Sequence, residues 1–333
     1  MTEPLLEARD LSTHFPVRRG LFRRESTAVR AVDGVSLKLA PGETLGLVGE
    51  SGCGKSTLVK TLLFLEQPTG GEIRFAGNVV TAADAGRLRR QVQIVFQDPY
   101  TSLPPRMRVA EIIADPLRIH RLAGRAAAER RALALMREVG LNPARGHDYP
   151  FQFSGGQRQR ISIARALAIE PSLLLLDEAV SALDVSVQAQ VLNLLRDLRE
   201  RRGLAYIFIS HDLGVIRYMS DRIAVMYLGK IVEHGPAAAL YERPLHPYSR
   251  ALVSAVPSLR RRGERIRLAG EPPNPTDPPS GCAFHPRCPL AQPVCAEQAP
   301  ALQEWRPGRF AACHFALQPF PTTGPPTIGP EAA

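Results

Sequence analysis

No apolar run in this sequence approaches the ~20 residues that span a bilayer, and patches such as Leu173–Leu176 are only the length of a buried strand. Membrane spans of its own are therefore not expected. Aromatic residues make up just 6% and there is one tryptophan, Trp305. No basic run is interleaved with aromatics, as a base-stacking surface needs, so no nucleic-acid partner is expected. The opening MTEPLLEARD lacks a basic stretch followed by an apolar one, so it does not read as a secretory signal and a cytoplasmic location is expected. There is no internal repeat. Cysteine is sparse: Cys53 stands alone, while Cys282, Cys288, Cys295 and Cys313 gather near the end. In a cytoplasmic chain that grouping suggests metal before disulfides.

The rest is ordinary for a globular protein. The chain has 333 residues, 44% hydrophobic and 22% charged, which excludes wholesale disorder. Its net charge of +10 suits either a solvated basic surface or anionic ligands such as phosphates. Strand-like runs at 45–48, 92–96, 173–176, 205–209 and 223–227 alternate with helical patterns at 58–65, 126–139 and 187–201. Alternation of this kind predicts an α/β fold with a mostly parallel sheet. The stretch from about 100 to 170 is richer in helix and reads as a helical subdomain. After Pro257 the texture changes to Arg260-Arg261-Arg262, Pro272-Pro273-Asn274-Pro275 and Pro278-Pro279, which disfavour regular elements. The expected division is a large α/β domain over 1–260, a small loop-rich extension over 261–316 holding four cysteines, and a flexible tail over 317–333.

Gly49-Glu50-Ser51-Gly52-Cys53-Gly54-Lys55-Ser56 fits G-x-x-x-x-G-K-[ST] between a strand and a helix. Glycines let backbone N–H groups turn inward around phosphate oxygens, and the helix start adds its positive end. Lys55 is placed to reach the β- and γ-phosphates and Ser56 to ligate Mg²⁺. Cys53 sits at a free position and reads as a small filler. Leu173-Leu174-Leu175-Leu176-Asp177-Glu178 reads as a buried strand carrying two acids to its C-terminal edge, Asp177 for Mg²⁺ and Glu178 as general base.

Phe153-Ser154-Gly155-Gly156-Gln157, ahead of a helix and upstream of Asp177, resembles the signature of ATP-binding cassette (ABC) ATPases. Phe153 stands where that family usually has Leu, and Ala179-Val180 where Pro-Thr is common. The resemblance covers residues 5–257 and implies the remaining roles. Gln97 matches the Q-loop glutamine and a Mg²⁺ ligand. Ser181 and Asp184 match the D-loop, and His211 the switch histidine. Phe15 is the adenine-stacking aromatic, with Phe22 nearby, and Ser51, Gly52 and Thr57 complete the ATP contacts. The signature residues Ser154, Gly155, Gly156 and Gln157 would serve the ATP site of a second subunit in a head-to-tail dimer.

His246-Pro247-Tyr248-Ser249 and the text around Cys282 and Cys288 resemble the C-terminal extension of oligopeptide, dipeptide and nickel importer ATPases. This implies a motor at the cytoplasmic face of the cell membrane. Its implied partners are two permease subunits, a second ATPase subunit and an extracytoplasmic solute-binding protein. Peptides are the expected solute, with nickel and glutathione as alternatives. A non-transport cassette ATPase in DNA repair or translation is the rival class, but the interval from Gln97 to Ser154 leaves room only for a modest helical subdomain. The intact motif set argues against a metal-binding regulator with a vestigial ATPase. The Cys282-x5-Cys288-x6-Cys295-x17-Cys313 spacing does not match tight C-x2-C zinc ribbons. The resemblance points to a [4Fe–4S] cluster; zinc, with His285 or His314 as a substitute ligand, and free thiols stay open. Since the cysteines lie outside every nucleotide motif, their loss is expected to spare ATP binding.

Overall fold

The computed structural model describes residues 3–17, 27–256, 266–268 and 270–318. Phe22, the arginine run at 260–262 and the tail from 319 lie outside the described residues.

Strands β1 (Leu6–Val17), β2 (Thr27–Leu39), β4 (Gly70–Phe75) and β5 (Asn78–Val80) form an antiparallel sheet in the order β2-β1-β4-β5. The second sheet contains β3 (Thr44–Val48), β6 (Val92–Val95), β7 (Leu173–Asp177), β8 (Ala205–Ile209), β9 (Arg222–Tyr227), β10 (Lys230–Pro236), β11 (Gln303–Arg306) and β12 (Arg309–Ala311). Its order is β11-β12-β10-β9-β3-β8-β7-β6, and the five strands from β9 to β6 run parallel. Every residue of β3, β7 and β8 is buried. That explains their unbroken apolar text, because central parallel strands are covered on both faces.

The Lys55–Leu62 helix lies between the two sheets. Its Leu58, Val59 and Leu62 share a core with Leu6, Leu11, Val32 and Leu39 from one sheet and Leu45, Leu47, Ile207 and Ile209 from the other. Burying an aliphatic side chain of this kind contributes about 1.5–3 kcal/mol. The opposite face of the large sheet packs against helices, including Val109–Ile119, Arg125–Glu138 and Gly155–Leu167. These three helices fall between residues 109 and 167.

The antiparallel sheet was not legible from apolar runs. β1 and β2 mix buried and exposed positions, and their pairing shifts register three times, at Ala8/Leu11, Leu11/Thr13 and Thr13/His14. A bulged strand breaks the two-residue alternation that reveals half-buried strands. β9 and β10 form a hairpin through Leu228-Gly229, both at positive φ, which is the geometry of a two-residue turn. The C-terminal region does not stand apart from this sheet. Phe310 and Ala311 of β12 pair with His234 and Glu233 of β10, and the Phe310 ring stacks on His234 at 4.5 Å.

Candidate nucleotide site

Four neighbouring strands deliver the predicted chemistry to one edge. The phosphate-type loop follows β3, His211 follows β8, Asp177 and Glu178 end β7, and Gln97 follows β6. These are C-terminal strand ends, where open α/β sheets bind ligands. Phe15, Ser51, Gly52, Gly54, Lys55, Ser56, Thr57, Gln97 and Glu178 line a cleft of about 460 Å³, together with Val29, Arg30, Ala31, Leu228, Gly229 and Pro275.

The loop is built for close backbone approach. Gly54 has φ +108, and a Cβ there would collide with the Ala31 carbonyl. Only glycine adopts that conformation in that space. Lys55 is buried, and its Nζ donates to the carbonyls of Gly49 at 2.8 Å and Glu50 at 2.9 Å. Cys53 is buried with its Sγ 3.6 Å from Lys55 Nζ, and burial pushes its thiol pKa up, away from nucleophile chemistry. Ser56 Oγ donates to Asp177 Oδ1 at 3.0 Å. Burial raises the Asp177 pKa, the Ser56 bond opposes that, and neighbouring Glu178 adds to it. A hydroxyl and a carboxylate so placed are hard oxygen donors, the type that suits Mg²⁺.

Glu178 adopts a left-handed backbone, φ +48, uncommon for a residue with a side chain. Its N–H donates to the Ile209 carbonyl at 3.1 Å, and its carbonyl accepts from Ser181 Oγ at 2.9 Å. Its Oε2 lies 3.4 Å from His211 Nδ1. Asp184 stands at the N-terminus of the Val185–Arg202 helix.

The signature residues are folded differently from the loop residues. Ser154 caps the Gly155–Leu167 helix, accepting from Gln157 N–H, while Gln157 Oε1 accepts from Ser154 N–H at 3.1 Å. This is a reciprocal capping box. A Cβ on Gly156 would strike Val187 Cγ1, so the signature turn packs directly on the helix that follows the D-loop. None of Ser154, Gly155, Gly156 or Gln157 lines the Lys55 cleft. The chain therefore brings the loop, Gln97, the two acids and His211 together and leaves the signature elsewhere.

Sequence reasoning gave no role to Glu50, Tyr227, Tyr248, Pro275 or Arg287. The Arg287 guanidinium pairs with both carboxylate oxygens of Glu50, at 2.7 and 3.0 Å, and Tyr248 OH accepts from Glu50 N–H at 2.7 Å. The Pro275 carbonyl accepts from Arg30 N–H at 3.5 Å. No local pattern marks contacts between residues 198 or more positions apart.

The four C-terminal cysteines converge loosely. Cys282 N–H donates to the Cys295 carbonyl at 2.7 Å. Burial pushes the Cys288 thiol to about 12 and the Cys313 thiol to about 11, and repulsion from the other cysteines adds to both. Among the described residues, no three His, Cys, Asp or Glu side chains form a ready metal site. His285 Nδ1 and His314 Nε2 instead lie 3.0 Å from the Cys282 and Gln298 carbonyls. Neither the expected [4Fe–4S] site nor the zinc alternative is ready-formed among the described residues.

Residues 32–181 match the ABC transporter family, and residues 232–295 match the C-terminal region of oligopeptide/dipeptide transporters. The chain is 51% identical to the oligopeptide transport ATP-binding protein AppF of Bacillus subtilis, over 94% of this chain and 98% of that one. The chain belongs to the ATP-binding subunits of the oligopeptide/dipeptide ABC transporter family. It is also 50% identical to the di/tripeptide transport ATP-binding protein DppF of Pseudomonas aeruginosa, over 95% of this chain and 99% of that one. The ABC fold is shared with the dimeric cassette MJ0796 in a post-hydrolysis state bound to ADP and Pi, at TM-score 0.61 and 27% identity, covering 70% of this chain and 98% of that one. This ABC subunit is accordingly an ATPase. Among its described residues no helix is long and apolar enough to cross a membrane.

Proposed function

We propose that this ATPase drives uptake of oligopeptides or dipeptides through separate permease subunits at the cytoplasmic face of the cell membrane. The observation that carries the motor role is the convergence of Lys55, Ser56, Gln97 and Glu178 on one cleft, with Asp177 bonded to Ser56. Phe15 stacks the adenine, and the loop from Gly49 to Thr57 holds the phosphates. Lys55 leaves its carbonyl partners for the β- and γ-phosphates. Ser56, Gln97 and Asp177 hold Mg²⁺, which neutralises phosphate charge. Glu178 takes a proton from the attacking water, and His211, beside it, senses the γ-phosphate.

The signature around Ser154 lies away from the chain's own cleft, so a second ATPase subunit supplies it across a head-to-tail dimer. ATP then bridges the two subunits. Loss of the γ-phosphate weakens the bridge and lets them part, which is the mechanical stroke. Two permeases and an extracytoplasmic solute-binding protein complete the importer. Residues 1–260 are the motor and 261–316 an extension docked on it, with 317–333 as a tail. Within the extension Cys282, Cys288, Cys295 and Cys313 hold a [4Fe–4S] cluster. Four thiolates are the ligand set such a cluster takes, and Cys288 feels the charge of Cys282, Cys295 and Cys313.

The test is reconstitution in proteoliposomes with the cognate permeases and binding protein. Dipeptide-stimulated ATP hydrolysis and dipeptide uptake are expected. Stimulation by nickel or glutathione instead replaces the solute and keeps the motor. Stimulation by none of these, with activity responding to DNA or ribosomes, overturns the transport reading.

A further inference from the structure

Arg287 is 8% exposed. A charge so buried needs partners, and this one finds them on the phosphate loop. Its two terminal nitrogens bond both oxygens of Glu50, and Nη1 lies 3.5 Å from Tyr227 OH. Glu50 is thereby held at three points: the carboxylate by Arg287, the N–H by Tyr248 OH, and the carbonyl by Lys55 Nζ. Arg287 is brought there by Phe284. That ring is buried against Tyr227, Tyr248 and His246, with centroids 5.3, 5.4 and 5.6 Å away. On the cleft itself the same region contributes Pro275, bonded to Arg30.

An acid within a phosphate-binding loop opposes the ligand unless it is neutralised. A bidentate guanidinium does this and fixes the carboxylate's direction as well. We propose that Arg287 is a positioning residue for the phosphate loop, neutralising and orienting Glu50 so that ATP affinity depends on the docked C-terminal extension. This rests on reading Gly49–Ser56 as the nucleotide cradle. The pairing makes the extension a built-in regulator of the motor: whatever loosens the segment around Arg287 weakens the loop's hold on nucleotide. Cys288 is the next residue, so a change at the cysteine cluster reaches the ATP site through one peptide unit.

The experiment titrates MgATP into the full-length protein by calorimetry, comparing wild type with R287Q, R287K, R287Q/E50Q and K55A. R287Q leaves Glu50 unneutralised and is expected to bind MgATP about 5–30-fold more weakly. Added salt should narrow that gap. R287K, which keeps charge but not the bidentate fork, should fall between. Adding E50Q removes the exposed acid and should recover most of the loss, which a merely structural arginine would not allow. Where R287Q yields no folded protein, R287K and R287K/E50Q read the same loss and recovery. Wild-type affinity in R287Q, or a double variant as weak as the single one, overturns the positioning role. Loss in K55A without loss in R287Q overturns that role alone. Undiminished binding in K55A overturns the cradle reading and this proposal with it.

Discussion

Glu178 and His211 face each other, Oε2 to Nδ1 at 3.4 Å, from the ends of adjacent parallel strands. The register pairs Asp177 with Ile209, so Glu178, one residue past its strand, and His211, two residues past the neighbouring strand, emerge side by side. The left-handed turn at Glu178 and its N–H bond to Ile209 hold the carboxylate there. Two groups far apart in the chain become a proton acceptor and its neighbour through strand pairing alone.

Glu178→Gln keeps the shape and removes the proton acceptor. ATP binding should persist while turnover falls about 10²–10⁴-fold. Steady-state hydrolysis with the partner subunit, alongside equilibrium ATP binding, checks this. Turnover near wild type would reassign the base.

Lys55→Ala and His211→Ala should separate binding from turnover. Lys55 carries a positive charge to the phosphates, so its loss should weaken nucleotide binding itself. His211 has a side chain 64% exposed, so its removal should leave the fold and binding largely intact and depress hydrolysis. Equal loss of binding in both variants would make the histidine structural.

Acid should destabilise the junction between the sheet and the C-terminal region. Burial pushes the His246 pKa down to about 3 and that of His234 down to about 4, with nearby Arg250 and Arg222 adding to the shifts. His246 Nδ1 accepts from Tyr248 N–H at 3.0 Å, which requires it unprotonated. Both folded values lie below the unfolded value of about 6.5. The unfolded chain therefore takes up protons first, so this stability is present at pH 7 and is lost as pH falls below about 6.5. At about 1.36 kcal/mol per pH unit, each histidine costs about 2 kcal/mol between pH 7 and pH 5. Urea titrations at the two pH values measure it. His246→Asn, which keeps a capping oxygen, should show about half the histidine contribution to that loss.

Cys288→Ser tests the cluster and its reach. Anaerobically purified wild type should be brown, with iron and sulfide near about four each per chain. The variant should lose both, and zinc in place of iron would change the metal and leave the thiolate site. The sequence alone led to the expectation that ATP binding is spared; the structure reverses it, and MgATP affinity should also fall, because Arg287 is the immediate neighbour and holds Glu50. Unchanged affinity in a cluster-free variant would uncouple the cysteines from the phosphate loop.

The phosphate loop, Asp177, Glu178 and the signature at Ser154 were legible because each is a local pattern of neighbouring residues. Central strands such as Leu173–Asp177 and Ala205–Ile209 were legible because burial on both faces leaves an unbroken apolar run. β1 and β2 escaped because bulges scramble their alternation. β12 escaped because three residues, Arg309–Ala311, carry no periodicity and become a strand only against β10.

By itself the sequence determined which atoms could bind a nucleotide, since glycines, a lysine and a hydroxyl in fixed succession already define a phosphate cradle. Only the tertiary structure decided what surrounds that cradle. The strand order β3-β8-β7-β6 gathers His211, Glu178 and Gln97 to one edge and leaves Ser154 away from it. The buried ring of Phe284 carries Arg287 onto Glu50. Contacts across such separations leave no mark in local spacing, because packing and charge pairing select them only after the chain has folded.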